Sequence, residues 1–374
     1  MLNKLLPFLI LLVPQKHFEI YYSVILIFFL IDFVKDYRIN IKFLVILIIF
    51  STIVLFRTTL YFGYDDLKEL VKVSFFLIVL NHNYFRQNKY NFNYFKNAFI
   101  CFIILNLIVV FNQLFSFNDS LNTFVSSIFL AESQQILLTY DNVRAPGLSP
   151  GVGQQGVIFL MLSMFFWFIT FKENSKLNYL MLLSSILILT LSQSKTAFFA
   201  LLIFISIQLL YSNKKYKYLV IPIFSYLLFK SYKSFIIFFK EYNDLITNLW
   251  TSSLDGRIEN WMDLITPMLA NPIYFFIGIG RNYFSLAEIK SSVFDSDYVY
   301  IFVNFGVIGI IIFFMFLTYL FKKFKNYKTF LYTGLITAFT LNFFFEPKSF
   351  VLLILISSYL NIKIHEQKQI LDSN

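Results

Sequence analysis

Cysteine is almost absent from this sequence: Cys101 is the only one in 374 residues, and it stands inside an apolar run. A disulfide framework and a cysteine metal site are excluded by that count. The three histidines, His17, His82 and His365, lie far apart, which removes the commonest ligands of first-row metals and makes a metal-free, cofactor-free mechanism the expectation. Charge is scarce as well. Charged residues are 14% of the chain against 58% hydrophobic, and the mean hydropathy is +0.69. A chain with so little polar surface cannot cover a water-soluble globule, so lipid has to cover it. There is no Walker-type phosphate loop, which argues against a self-contained ATP-driven pump, and no internal repeat of fixed period. A secretory signal followed by a soluble region is not expected either, since the first apolar stretch runs into further ones.

What the chain has in abundance is apolar runs bounded by charge. A helix crosses the hydrocarbon core, about 30 Å thick, with about 20 residues, because backbone groups in lipid must satisfy each other internally. Candidate spans fall near 2–14, 18–34, 42–57, 69–85, 97–115, 152–171, 177–191, 196–211, 217–232, 298–321, 329–345 and 349–363. The expectation is an all-α polytopic membrane protein of about twelve helices forming one domain. The 51 Phe and 24 Tyr suit it, Phe in hydrocarbon and Tyr at the interface.

The net charge of +10 is strung between the apolar runs rather than gathered on one polar face, so it speaks for membrane orientation and not for nucleic acid. More than half of the 31 basic residues fall in alternate connections: Lys4; Lys35, Arg38 and Lys42; Arg86, Lys89 and Lys96; Lys172 and Lys176; Lys214, Lys215 and Lys217; Lys322, Lys323, Lys325 and Lys328; Lys363 and Lys368. The intervening short connections hold only Lys16, Arg57, Lys68, Lys72, Arg144, Lys195 and Lys348. The positive-inside rule then puts both termini in the cytoplasm and two long segments outside: 116–151, and a large loop over 233–297 between spans nine and ten, expected to contain short helices.

Four unusual segments land on that external side. Arg144-Ala-Pro-Gly-Leu-Ser-Pro-Gly-Val-Gly-Gln-Gln-Gly156 enters the sixth span with irregular backbone, a geometry that suits anions if its N–H groups are open, and equally an ordinary turn with a snorkelling Arg. Leu191-Ser-Gln-Ser-Lys195 joins two spans by a tight polar turn whose lysine runs against the orientation rule. Asp255-Gly-Arg257-Ile-Glu-Asn-Trp261 is followed by Asn271-Pro272 and Gly278-Ile-Gly280-Arg281; Trp261 is either a sugar platform or an interfacial anchor. Asp295-Ser-Asp297-Tyr-Val-Tyr300 precedes a span containing Gly306-Val-Ile-Gly309, and its carboxylates read either as a general base or as helix caps. Glu346 is a further candidate acid or a loop charge.

In this order and on this side, the four segments resemble the O-antigen polymerase and ligase superfamily. Its members carry an Arg before a Gly/Pro-rich span entry, a Leu-Ser-x-Ser-Arg/Lys turn, a large periplasmic loop with Gly-Arg, Trp, Asn-Pro and Gly-x-Gly, and a His/Asp step into a Gly-x-x-Gly span. The resemblance covers about residues 140–350; the N-terminal third matches only as a bundle of spans. The ligase branch usually offers an external histidine, and this loop has none, so the variant looks like the polymerases of O-antigen, capsule or exopolysaccharide units.

The resemblance implies a glycosyltransferase in a bacterial cytoplasmic membrane that passes a growing glycan from an undecaprenyl-pyrophosphate carrier to the terminal sugar of another lipid-linked repeat, often with a chain-length regulator as partner. A departing pyrophosphate without a metal needs Arg and Lys. The residues expected at the pyrophosphates are Arg257 and Arg144, supported by Lys195 and Arg281. Asp297 or Asp295 is expected to take the acceptor's proton, with Glu132, Asp141, Glu259 and Asp263 as alternatives, and Trp261, Tyr283, Tyr298 and Tyr300 are expected along the sugar path. Rivals are an O-antigen ligase-type transferase and a flippase or other transporter, although carriers place their ionisable residues near the midplane of paired repeats.

Overall fold

A computed structural model describes residues 2–16, 18–34, 38–61, 64–86, 92–131, 145–211, 260–281, 283, 296–324 and 327–373, and among them there is helix and no strand. The helices are α1 (Leu2–Leu12), α2 (Phe18–Val34), α3 (Ile41–Tyr61), α4 (Asp66–Arg86), α5 (Phe92–Phe115), α6 (Asp119–Phe129), α7 (Val152–Glu173), α8 (Lys176–Leu191), α9 (Lys195–Tyr211), α10 (Pro272–Ile277), α11 (Asp297–Lys323), α12 (Lys328–Thr337) and α13 (Pro347–Ser373), with further helical turns at 260–270. Among the described residues, four stretches are long and apolar enough to cross a membrane: Ile41–Leu60, Asn93–Phe115, Val152–Phe171 and Asp297–Lys323. The apolar parts of α2, α8, α9 and α13 are shorter.

The bundle has a centre and a rim. In α7, 72% of the apolar window is buried, against 22% in α3, so α7 is a core helix and α3 shows most of its surface outward. The first half of α13 is buried on every side from Pro347 to Leu360, as expected of a helix that is hydrophobic all round. Phe165 meets both Phe99 of α5 and Tyr359 of α13, edge to face, at 4.9 and 5.2 Å, and so ties three helices together. The outward faces carry Ile48, Leu55, Ile108, Leu183, Ile311 and Phe314, large side chains that only lipid makes tolerable.

Polar contacts between elements form two separate layers. One holds Asn81 with Arg38 and Asn40, the Lys96–Glu173 ion pair at 2.6 Å, and Gln208 with Thr329. The other holds Gln15 with Glu346, Lys348 with the Leu11 carbonyl, Lys16 with the Ser127 carbonyl, Thr196 with Thr340, and Arg57 with Asp66.

The eleventh expected span, 329–345, differs from what the structure contains. Helix α12 stops at Thr337 after ten residues, about 15 Å of rise, half of what the hydrocarbon core requires. Residues 338–346 are irregular, and Ala338, Phe343, Phe344 and Glu346 are buried. Such backbone persists at depth only where protein supplies its hydrogen bonds, and here Asp297 does: its carboxylate accepts the N–H groups of Phe343, Phe344 and Phe345 at 2.8, 2.7 and 3.2 Å. The ninth expected span, 217–232, lies outside the described residues.

A second irregularity sits inside α11. Gly306 has φ 59° and ψ −153°, a break that frees the carbonyls of Val303 and Asn304 from their helical partners. The Ile279 N–H takes the first at 2.9 Å and the Arg57 guanidinium the second. A Cβ on Gly306 would lie 2.5 Å from the Phe276 carbonyl, and the positive φ adds strain of its own. Gly306→Ala is therefore expected to lower the stability of the detergent-purified protein by about 1–3 kcal/mol, read as an earlier loss of the monodisperse chromatographic peak on heating. An unchanged midpoint would show that the break does not need glycine.

Candidate functional site

Around the break in α11, one polar layer thickens into a buried ionic cluster. Helix α4 begins with Asp66 and carries Glu69 in its first turn, where unpaired N–H groups favour anions. Arg57, near the end of α3, meets the Asp66 carboxylate at 3.1 Å, and both side chains are essentially fully buried. The same guanidinium donates to the carbonyls of Ile277 and Asn304 and stacks over Phe305. Arg281 donates its backbone N–H to Asp66 and its Nε to Glu69. Tyr300 of α11 donates its hydroxyl to the other Glu69 oxygen, and the Lys72 ammonium lies 3.8 Å from the centre of the Tyr300 ring. Burial acts to lower the Arg281 pKa, but the facing Glu69 outweighs it and holds the guanidinium above its ordinary value.

The Gly278-Ile-Gly280-Arg281 segment has its explanation here. Asn271 caps α10, accepting the Ile273 N–H at 2.9 Å, with Pro272 at the first helical position. After Ile277 the chain must pass between α11 and the Arg57–Asp66 pair. At Gly280 (φ 68°) a Cβ would sit 2.5 to 2.6 Å from the Asp66 carboxylate and the Arg57 guanidinium carbon, so only glycine lets Arg281 reach Glu69.

The span-entry segment is built differently from its expectation. Residues 145–150 are buried, and their N–H groups are not open to an anion: Gly147 N–H goes to Gln113, Leu148 N–H to Asn106 and Ser149 N–H to Pro146. Gln155 closes the set by bonding both Asn106 and Ser149. This segment adjoins the Ser192-Gln-Ser-Lys195 turn, through Ala145 N–H on the Leu191 carbonyl and through Gly156 packed against Ser194. That turn in turn meets 338–341 at Thr196–Thr340, 2.8 Å. The motif segments therefore form one connected face: 145–156, then 191–196, then 338–346, then Asp297 to Asn304, then 278–281.

Of the expected site residues, Lys195 is exposed at the first turn of α9, Arg281 is half-exposed at the cluster, and Trp261 and Tyr283 are half-buried, Tyr283 against Tyr274. Tyr298 is turned inward: its hydroxyl bonds the Leu335 carbonyl at 3.2 Å, and its ring lies on Phe339. Asp297 is fully buried at the N-terminus of α11, holding the three amides of 343–345. Glu346 caps α13 through the Ser349 N–H at 2.7 Å and binds Gln15. Arg144, Arg257 and Asp295, and the alternatives Glu132, Asp141 and Glu259, lie outside the described residues. Among the described residues, no three His, Cys, Asp or Glu side chains stand together to hold a metal ion.

Arg57, Asp66, Glu69 and Lys72 entered the sequence reading only as orientation charges or not at all. The signal was available in Lys72, inside an apolar run, and in Arg57, at the end of another, since ionisable groups at such positions pair or bind. Breaking a buried pair by removing one partner costs about 3–5 kcal/mol, whereas replacing both with apolar groups costs far less. Arg57→Met and Asp66→Asn are each expected to destabilise the protein by that order, and Arg57→Met/Asp66→Leu to recover much of the loss in thermal unfolding. Strictly additive losses would mean the two do not act as a pair.

Neither a curated protein nor a solved structure matches the chain significantly. Residues 179–314 match the family described as O-antigen ligase. The matched stretch runs from α8 through the first two-thirds of α11 and takes in Lys195, Arg257, Trp261, Arg281, Asp295, Asp297 and Tyr298, but neither Arg144 nor the α3–α4 side of the cluster. The match supports the O-antigen ligase and polymerase superfamily as the family of this membrane-spanning helical protein.

Proposed function

We propose that the protein is a metal-independent glycosyltransferase that polymerises undecaprenyl-pyrophosphate-linked oligosaccharide repeat units in the cytoplasmic membrane of a bacterium. The observation that carries the reading is the continuous polar face joining the motif segments within and around the family match. In the reaction an acceptor sugar hydroxyl attacks the anomeric carbon of the carrier-bound glycan. The new C–O bond forms as the bond to pyrophosphate breaks, the carrier pyrophosphate leaves with its electrons, and the hydroxyl proton passes to a base. Arg257 and Arg144 hold the pyrophosphate, with Lys195 and Arg281 in support, because forked guanidiniums match phosphate oxygens. Both oxygens of Asp297 are engaged by the 343–345 amides, so Asp297 suits holding that turn and Asp295, two residues earlier, suits taking the proton. Trp261 and Tyr298 flank the glycan path. The shorter apolar helices complete a bundle of about twelve spans with both termini cytoplasmic, and a chain-length regulator is the partner such a polymerase would use.

The family's printed description favours a second reading, transfer of finished glycan to a final acceptor, as an O-antigen ligase does. Cells lacking the gene and complemented with wild type, Arg257→Ala, Arg144→Ala, Asp295→Asn or Asp297→Asn separate the two on glycan gels, with membrane levels of each variant checked. Polymerase activity predicts a single repeat unit in the null strain, a ladder restored by wild type, and at least tenfold less polymer with well-expressed Arg257→Ala. Long polymer that never reaches its acceptor would mark a ligase instead, and repeat units trapped on the cytoplasmic side would mark a flippase.

A further inference from the structure

We propose that α6 is a membrane-surface foot, with Phe124 and the neighbouring Phe115 and Phe117 entering the boundary between lipid headgroups and acyl chains. The inference is independent of the glycosyltransferase reading above, since it concerns residues 111–131, outside the matched stretch of chain. The sequence of α6, Asp119-Ser-Leu-Asn-Thr-Phe-Val-Ser-Ser-Ile-Phe129, divides cleanly when each residue turns by about 100°. Leu121, Phe124, Val125, Ile128 and Phe129 share one arc, and the polar residues share the other. The bundle uses only one side of the apolar arc. Val125 is buried and Leu121, Ile128 and Phe129 are half-buried, while Phe124, at the far edge of the arc, is 60% exposed.

The approach to α6 carries the same signature. Along α5, Ile104, Ile108, Phe111 and Phe115 recur at helical spacing on the exposed face of a helix long enough to cross a membrane. The row does not stop where the helix does. The rings of Phe111 and Phe115 stack at 6.1 Å and those of Phe115 and Phe117 at 5.5 Å, which carries the row around the corner into the segment before α6. Phe115 and Phe117 are 60% and 75% exposed. Such rings would meet water in a soluble protein; here they continue a surface that lipid already covers, at the level where a membrane-length helix ends. Side chains hold α6 in that position. Asn112 donates to the Asn118 carbonyl and to Asn122 and accepts the Asn118 N–H, and Asn118 caps the helix through the Leu121 N–H. Asp119 is the only charged residue of α6, so docking draws on apolar contact rather than on attraction to anionic headgroups. The foot also reaches the motif face: Gln113, just before it, bonds Gly147, and the Ala131 N–H, just after it, donates to the Pro150 carbonyl at 3.0 Å. The span-entry segment is thereby held at the level of the headgroups.

The test measures depth and not activity. Cys101→Ser removes the only cysteine of the chain, and in that background Phe117→Cys, Phe124→Cys, Ser120→Cys and Thr123→Cys, all at exposed positions, are each labelled with a nitroxide. The full-length protein is placed in vesicles of phosphatidylcholine and phosphatidylglycerol, and label collisions with oxygen and with a water-soluble nickel chelate are compared. Labels at 117 and 124 are expected to lie about 5–10 Å deeper than those at 120 and 123, the immersion of an interfacial helix, and to keep that depth in phosphatidylcholine alone. Should the cysteine-free background not yield a monodisperse protein, quenching of Phe124→Trp by brominated phosphatidylcholine, above that of wild type, gives the same reading. Equal access of the nickel chelate to all four labels, or no added quenching, overturns the foot. Protection of 117 and 124 from both oxygen and chelate marks a protein partner or a second copy of the chain in place of lipid, and overturns it too. Depth that requires phosphatidylglycerol overturns apolar docking in favour of headgroup charge.

Discussion

Arg57 beneath the break in α11 is the contact on which the functional face depends. A guanidinium in an apolar bundle is costly unless its charge and its donors are matched, and three elements converge to match it: Asp66 from α4, the Ile277 carbonyl at the end of α10, and the Asn304 carbonyl that Gly306 releases. Each partner is available only if its own element is held in place. The break in α11, the start of α4 and the Gly278–Arg281 turn are therefore one solution to a single electrostatic requirement, and the position of Arg281 follows from it.

The same rule governs the other irregular segments. Backbone that leaves the helix inside the bundle loses its own hydrogen bonds and must find them in side chains. Asn106, Gln113 and Gln155 do this for 145–150, Asp297 for 343–345, and Lys348 for the end of α1 at Leu11. Side chains drawn from distant elements thus hold each irregular segment in place. Asp297, Glu346 and Asp66 are committed to backbone amides or a buried cation.

Much of this was legible in one dimension. Long apolar runs were enough for the helices, because lipid imposes its length rule segment by segment. The Pro/Gly entry before α7, the Ser-Gln-Ser-Lys195 turn and the Asn271-Pro272 cap are local devices, and local devices show in sequence. The failures are non-local. Residues 329–345 are apolar throughout and read as one span, but three of their amides belong to a carboxylate more than 40 residues away. The glycines at 278 and 280 are spacers for a backbone crossing that the sequence does not display.

By itself, the sequence determined that this is a helical membrane protein, since composition and periodicity act through lipid on each segment independently. Tertiary structure alone decided what each charge meets. Arg57 and Lys72 are both isolated cations next to apolar residues in the chain, yet packing gives Arg57 a carboxylate and two carbonyls and gives Lys72 the face of a tyrosine. That difference depends on elements more than 200 residues away, and a buried charge takes its role from whatever long-range contacts bring within a few ångströms of it.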